Sequence, residues 1–219
     1  MAEFQEKKKT YVEDIERALY DIKDIDRSAY KSRSGLTEDI ICDISKRKND
    51  PDWMLEFRLK ALETYEKPPL PTWGPDISEL NMDDIVTYVQ PNAKMTGNWK
   101  EVPEDIKNTF DRLGIPEAEQ KQSLAGVVYH SIQDDLVKQG VIYTDMETAL
   151  WEHGDVVREY FMKLVPPKDH KFAALHGAVW SGGSFVYVPE GVHVEIPLQS
   201  YFRLNAAGAG QFEHTLIIV

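Results

Sequence analysis

The feature that most constrains this chain is a change of hydrophobic period around Ser181-Gly182-Gly183. Upstream, apolar residues recur every three or four positions, the spacing that gathers them on one face of a helix. Downstream, in Val192-His193-Val194-Glu195-Ile196-Pro197-Leu198, they alternate strictly, the spacing of a strand with one buried side. A chain carrying both periods in separate blocks is expected to be α+β. The expected division is a mainly helical region over residues 1–168 and a β core over 169–219, entered through a helix at 170–180.

Within the helical part, Thr10 precedes Ile15, Leu19 and Ile22, and Thr37 is placed to cap a helix carrying Ile40, Ile41 and Ile44. Asp50-Pro51-Asp52 opens a third helix, since a proline costs nothing in a first turn. Its expected face is Trp53, Phe57 and Ala61, widened by Met54, Leu55, Leu59 and Leu62. The run Lys67-Pro68-Pro69-Leu70-Pro71 ends it and starts an extended strap over 67–76. Further expectations are a short strand at 85–89, helices at 103–113, 116–125 and 131–139, and a strand at 141–143. One or two helices follow over 145–165, broken at Gly154. In the β part, strands are expected at 184–188, 192–198, 201–205 and 211–219. Short strands and tight turns fit a sandwich, a barrel or a β-helix, and periodicity does not choose among them.

Charge narrows the partners. With 37 acidic residues against 25 basic ones the net charge is −12, and such a surface repels a duplex or an anionic bilayer, so no nucleic-acid or membrane partner is expected. No stretch approaches the roughly 18 apolar residues of a membrane span. The N-terminus MAEFQEKKKTYVED lacks the apolar centre of a signal peptide, and a cytoplasmic location is expected. The single cysteine, Cys42, cannot form an internal disulfide; lying between Ile41 and Ile44, it is expected to be a small core residue.

Chemistry-bearing motifs are scarce. The chain has no C-x-x-C, H-E-x-x-H, G-x-S-x-G or phosphate-loop pattern, so no catalytic residue is assigned and no enzyme is expected. The glycine-rich stretches at 181–183 and 206–210 read as turns. Among the six histidines, His176, His193 and His214 are spaced closely enough to one coil of a β-helix for His193 and His214 to stack. Solvent-facing strand positions explain all three without a metal, and none is expected. The chain ends in the apolar run Thr215-Leu216-Ile217-Ile218-Val219, which suggests a cut sequence or a partner strand on another chain.

Four long blocks resemble one family. Pro51-Asp52-Trp53-Met54-Leu55-Glu56-Phe57-Arg58-Leu59, residues 103–120, residues 171–192 and residues 197–218 are similar, in order and spacing, to the N-terminal portion of SufB/SufD family proteins. The resemblance implies a scaffold for iron–sulfur cluster assembly: a helical N-terminal region followed by the first coils of a right-handed parallel β-helix. It implies a full-length protein that works with the SufC ATPase and the SufD paralogue, receives sulfur and hosts the nascent cluster. No cofactor is expected in this portion itself. Arg203 and Asn205, in Tyr201-Phe202-Arg203-Leu204-Asn205, match the family's Y-F-R-[IL]-N. The resemblance places them on an interior sulfur or cluster path, where a guanidinium and an amide orient an anionic persulfide; stabilising turns between coils is the other reading. Two departures stand out. Family members continue past Val219 into the cysteines and the SufC-docking segment, and a short segment usual before Val127 is missing here. An interaction fragment inert on its own, and a cupin-like histidine–metal enzyme on His176, His193 and His214, are the alternative functions.

Overall fold

The computed structural model describes residues 28–91, 104, 107, 108, 111, 136–195, 198, 210 and 212–219. The expected elements at 10–22, 116–125 and 201–205 lie outside these residues. The chain is α+β. Its elements are β1 (Ser28–Lys31), α1 (Glu38–Lys48), α2 (Asp52–Glu66), a single 3-10 turn (Met82–Asp84), β2 (Val89–Pro91), β3 (Ile142–Asp145), α3 (Met146–Glu152), α4 (Gly154–Tyr160), α5 (Lys171–Val179), β4 (Ser184–Tyr187) and β5 (Leu216–Ile218). Residues 104, 107, 108 and 111 are helical, as are 136–138, with the expected stop at Gly140. Among the described residues no helix is long and apolar enough to cross a membrane.

Local chemistry accounts for the helix ends. The Thr37 hydroxyl accepts from the Ile40 N–H at 3.4 Å. Acidic Glu38 and Asp39 sit in the first turn and Lys46, Arg47 and Lys48 in the last, which suits the helix dipole. Asn49 closes α1 at φ 53°, a left-handed conformation that asparagine tolerates. Ile40, Ile41 and Ile44 face the core as expected, but Cys42 is exposed. Two residues past Ile40 is about 200° around a helix, so Cys42 lies on the far side despite its apolar neighbours.

The buried line of α2 runs along one edge of the expected stripe, with Met54, Ala61 and Leu62 as expected and Arg58 added. Met54, Arg58, Ala61 and Leu62 are buried, whereas Trp53 and Phe57 are half-buried. This line, at spacings of four and three, is the one that meets α5. The two helices approach closely because both are small at the contact: a β-carbon at Gly177 would stand 3.1 Å from that of Ala61. Two cores result. Ile41, Ile44, Ala61, Leu62, Leu175 and Val179 belong to one. Met54, Met146, Phe161, Met162, Trp180 and Phe185 belong to the other.

Two small sheets flank these cores. β1 and β2 are antiparallel, pairing Ser28 with Pro91 and Lys31 with Val89. The strand expected at 85–89 therefore starts later, with a lone bridge from Ser34 to Val86 upstream of it. β4 is the middle strand of the second sheet, antiparallel to β3 and parallel to β5. Tyr187 lies opposite Ile142, and Phe185 opposite Leu216. The expected strand at 192–198 is not formed over 192–195. Its alternation is real as burial, with Val192 and Val194 half-buried and His193 and Glu195 exposed. Period two reports which side faces the protein; a strand also needs a backbone partner. Similarly, the helical block at 145–165 stops at Tyr160, and Met162 beyond it adopts φ 49°.

Candidate functional site

The most constructed part of the described molecule is the junction where α5 passes into β4. Arg58 on α2 is fully buried and reaches this junction from below. Its Nε donates to Asp50 Oδ2 at 2.7 Å, and its Nη1 donates to the carbonyls of Ala178 at 3.1 Å and Trp180 at 2.9 Å. These carbonyls end α5, where helices leave acceptors unsatisfied and favour a cation. The guanidinium also lies 4.8 Å from the Trp180 ring. Burial pulls the Arg58 guanidinium below its ordinary value and Asp50 opposes that; a guanidinium starts so high that it remains charged. Asp50 Oδ1, Arg58 Nη2 and Trp180 Nε1 are buried without a hydrogen-bond partner among the described residues.

Beyond Trp180 the chain is fixed by backbone. Ser181 N–H donates to Phe212 O at 2.7 Å, and His214 N–H donates to Gly182 O at 3.1 Å. Gly183 is obligatory here: at φ +120° its absent β-carbon would sit 2.0 Å from the His214 carbonyl oxygen. Glu147, which contacts Lys48, accepts from the Gly182 N–H at 3.1 Å and steadies the same turn. At the other end of α5, His170 Nδ1 accepts from Ala173 N–H at 3.2 Å, and Lys171 Nζ donates to the carbonyls of Tyr65 and Pro68.

With both segments pinned, two imidazoles meet. His176 Nε2 and His214 Nδ1 are 2.9 Å apart. The His214 ring lies 4.2 Å from that of Phe161 and 6.0 Å from that of Trp180, centre to centre. A cavity of about 270 Å³ opens beside them, lined by Met162, Val165, His170, Phe172, Ala173, His176 and His214. Burial, then the positive charge of Arg58, lowers the His176 value; burial, then His176, lowers that of His214 to about 4. Both rings are therefore neutral near pH 7, and one ring N–H donates to the lone pair of the other.

Of the histidines singled out in the sequence, the fold unites His176 with His214. His193 is exposed and lines no part of this cavity, so the expected stacking of His193 with His214 gives way to an α5–loop pair. Arg203 and Asn205 lie outside the described residues. Among the described residues no group of three or more His, Cys, Asp or Glu is placed to hold a metal. Sequence reasoning missed Arg58 and Asp50. The signal was present: an arginine four residues after Met54 and three before Ala61 occupies the apolar line itself.

The junction joins a helix end to a strand through a positioned polar core. Residues 42–200 match the family model described as the SufBD protein N-terminal region. The iron–sulfur cluster assembly protein SufB of Bacillus subtilis (strain 168) is 53% identical, the match covering 94% of this chain and 46% of that protein. An iron–sulfur cluster assembly SufBD family protein of Staphylococcus haemolyticus is likewise 53% identical, and one of Staphylococcus aureus (strain USA300) is 51% identical, with the same coverage. The chain belongs to the SufBD family. It spans about half the length of the curated relatives it matches.

Proposed function

We propose that this chain serves as the N-terminal portion of an iron–sulfur cluster assembly scaffold in the cytoplasm, acting as an assembly factor rather than an enzyme. The observation that carries this reading is 53% identity to Bacillus subtilis SufB, sustained over 94% of the chain. On this reading the complete scaffold receives sulfur and hosts the nascent cluster together with SufC and SufD. Residues 169–219 begin its right-handed parallel β-helix, and the parallel pairing of β4 with β5 supports that assignment. Arg203 and Asn205 lie on the sulfur or cluster path, orienting an anionic persulfide by charge-assisted hydrogen bonds. The junction around Arg58 and Gly183 then positions the first coil on the helical region.

A chimera tests this. This chain replaces the matching part of the Bacillus subtilis relative in cells that depend on that protein, and aconitase activity reports cluster supply. Restored activity, lost again in Arg203→Ala and Asn205→Ala chimeras of unchanged abundance, is expected. A soluble chimera at normal abundance that leaves aconitase without its cluster would overturn the reading.

A further inference from the structure

The cavity beside α5 holds a donor set that the scaffold reading does not require. We propose that His176, His214 and Met162 form a binding site for a soft, monovalent d10 cation, cuprous ion above all. Two imidazole nitrogens from separate segments already stand 2.9 Å apart. One ion about 2.0 Å from each, at a tetrahedral angle, sets them about 3.3 Å apart. Each ring must turn by about 30–35° so that its lone pair meets the ion off the N–N line, and the pair opens by about half an ångström.

Met162 supplies a third donor from the same cavity wall. Its backbone is held at φ 49°, a left-handed conformation that non-glycine residues adopt mainly where the surroundings enforce it. Its sulfur lies 3.3 Å from where a β-carbon of Gly177 would stand. Glycine next to His176 thus leaves room for the thioether. Two imidazoles and a thioether suit cuprous ion. Among the described residues no carboxylate lines the cavity, so magnesium and calcium lack the oxygen ligands they need there. The Phe161 and Trp180 rings around His214 make an apolar shell, which favours an ion of low charge.

Binding requires no net proton release. The N–H shared between the rings moves to the other nitrogen of its own ring, His176 Nδ1 or His214 Nε2, through solvent.

The test uses the full chain carrying Cys42→Ser, since the exposed Cys42 thiol competes for cuprous ion. Anaerobic competition against bicinchoninate measures affinity. The expected result is one equivalent bound, with His176→Asn and His214→Asn each weakening it by at least about 100-fold, the upper end of what outer-shell changes alone produce. X-ray absorption should show nitrogen and sulfur neighbours, with the sulfur contribution lost in Met162→Leu. Unchanged affinity in both histidine variants overturns the proposal. So does copper binding that vanishes with Cys42→Ser alone, or ready displacement by equimolar zinc or ferrous ion. Should the histidine variants lose their helical circular dichroism, the Met162→Leu spectrum decides: loss of sulfur supports the site, and its persistence refutes it.

Discussion

One core of this molecule is mainly aliphatic, with Tyr88 as its buried aromatic member, and the other is richer in methionine and aromatic rings. Ile40, Ile41, Ile44, Leu62, Leu175 and Val179 fill the first. Met54, Met146, Phe161, Met162, Trp180 and Phe185 dominate the second, beside Ala149, Leu150 and Val157. Isoleucine and valine are stiff at χ1 and fill a defined space. Methionine adapts to irregular gaps, and large rings bring polar edges that need neighbours. Both cores draw on the same two helices. Along α2, Met54 enters the second and Ala61 and Leu62 the first, with Arg58 between them. At the end of α5, Ala178 belongs to the first and Trp180, just past the last turn, to the second, and Arg58 bonds the carbonyls of both. The difference teaches that the seam between a rigid core and an adaptable one is held by a buried charge. The histidine cavity borders the adaptable core through Met162 and the first core through Phe172.

The strongest way to break this comparison is Arg58→Met. It leaves Asp50 charged and unpaired in the interior, which costs about 3–5 kcal/mol. Urea denaturation followed by circular dichroism should show that loss, and adding Asp50→Asn should recover part of it. A loss below about 1 kcal/mol, the range of exposed pairs, would mean that the seam is held elsewhere. Next comes Gly183→Ala, which forces the His214 backbone away. Left-handed strain and overpacking together predict a loss on the order of 3 kcal/mol. Its clearest sign is early amide exchange in β5.

The third effect is pH-dependent and concerns the metal-free chain. His214 has a folded value of about 4, below its ordinary 6.5. As pH falls, the unfolded chain takes up this proton first, so protonation favours unfolding. Stability from this group is therefore full above about pH 6.5 and is lost as pH falls toward 4, by roughly 2–3 kcal/mol. His214→Asn should flatten the urea midpoint across that window, and an unchanged slope would contradict the burial of the ring. The smallest effects sharpen the contrast between the cores. Ile41→Val should cost about 0.5–1.5 kcal/mol, whereas Met54→Leu, which keeps the volume, should fall in the lower part of the range below about 1.5 kcal/mol. Thermal melts of the two variants check the order, and a reversed order would remove the distinction between stiff and adaptable packing.

Much of this was legible in the sequence. The Thr37 cap, the α1 face of Ile40, Ile41 and Ile44, the break near Gly154, the α5 helix and the β4 strand follow from spacing and capping chemistry. What was illegible has a physical cause in each case. Cys42 is exposed because adjacency in sequence is not adjacency on a helix. The 192–195 segment alternates without pairing because side-chain period carries no information about a backbone partner. His176 and His214 meet because Arg58 and Gly183 fix two distant segments, and no local pattern encodes that meeting. Only the placement of Arg58 within an apolar line could have been read earlier.

The bond from Arg58 to Ala178 spans 120 residues of chain. During synthesis at about 5–20 residues per second, α2 leaves the ribosome on the order of ten seconds before α5. Through that interval its apolar stripe has no partner from α5. A guanidinium in the middle of the stripe keeps it hydrated and makes it a poor surface for another nascent chain. The arginine that joins the two cores in the finished molecule thereby guards the helix while it waits.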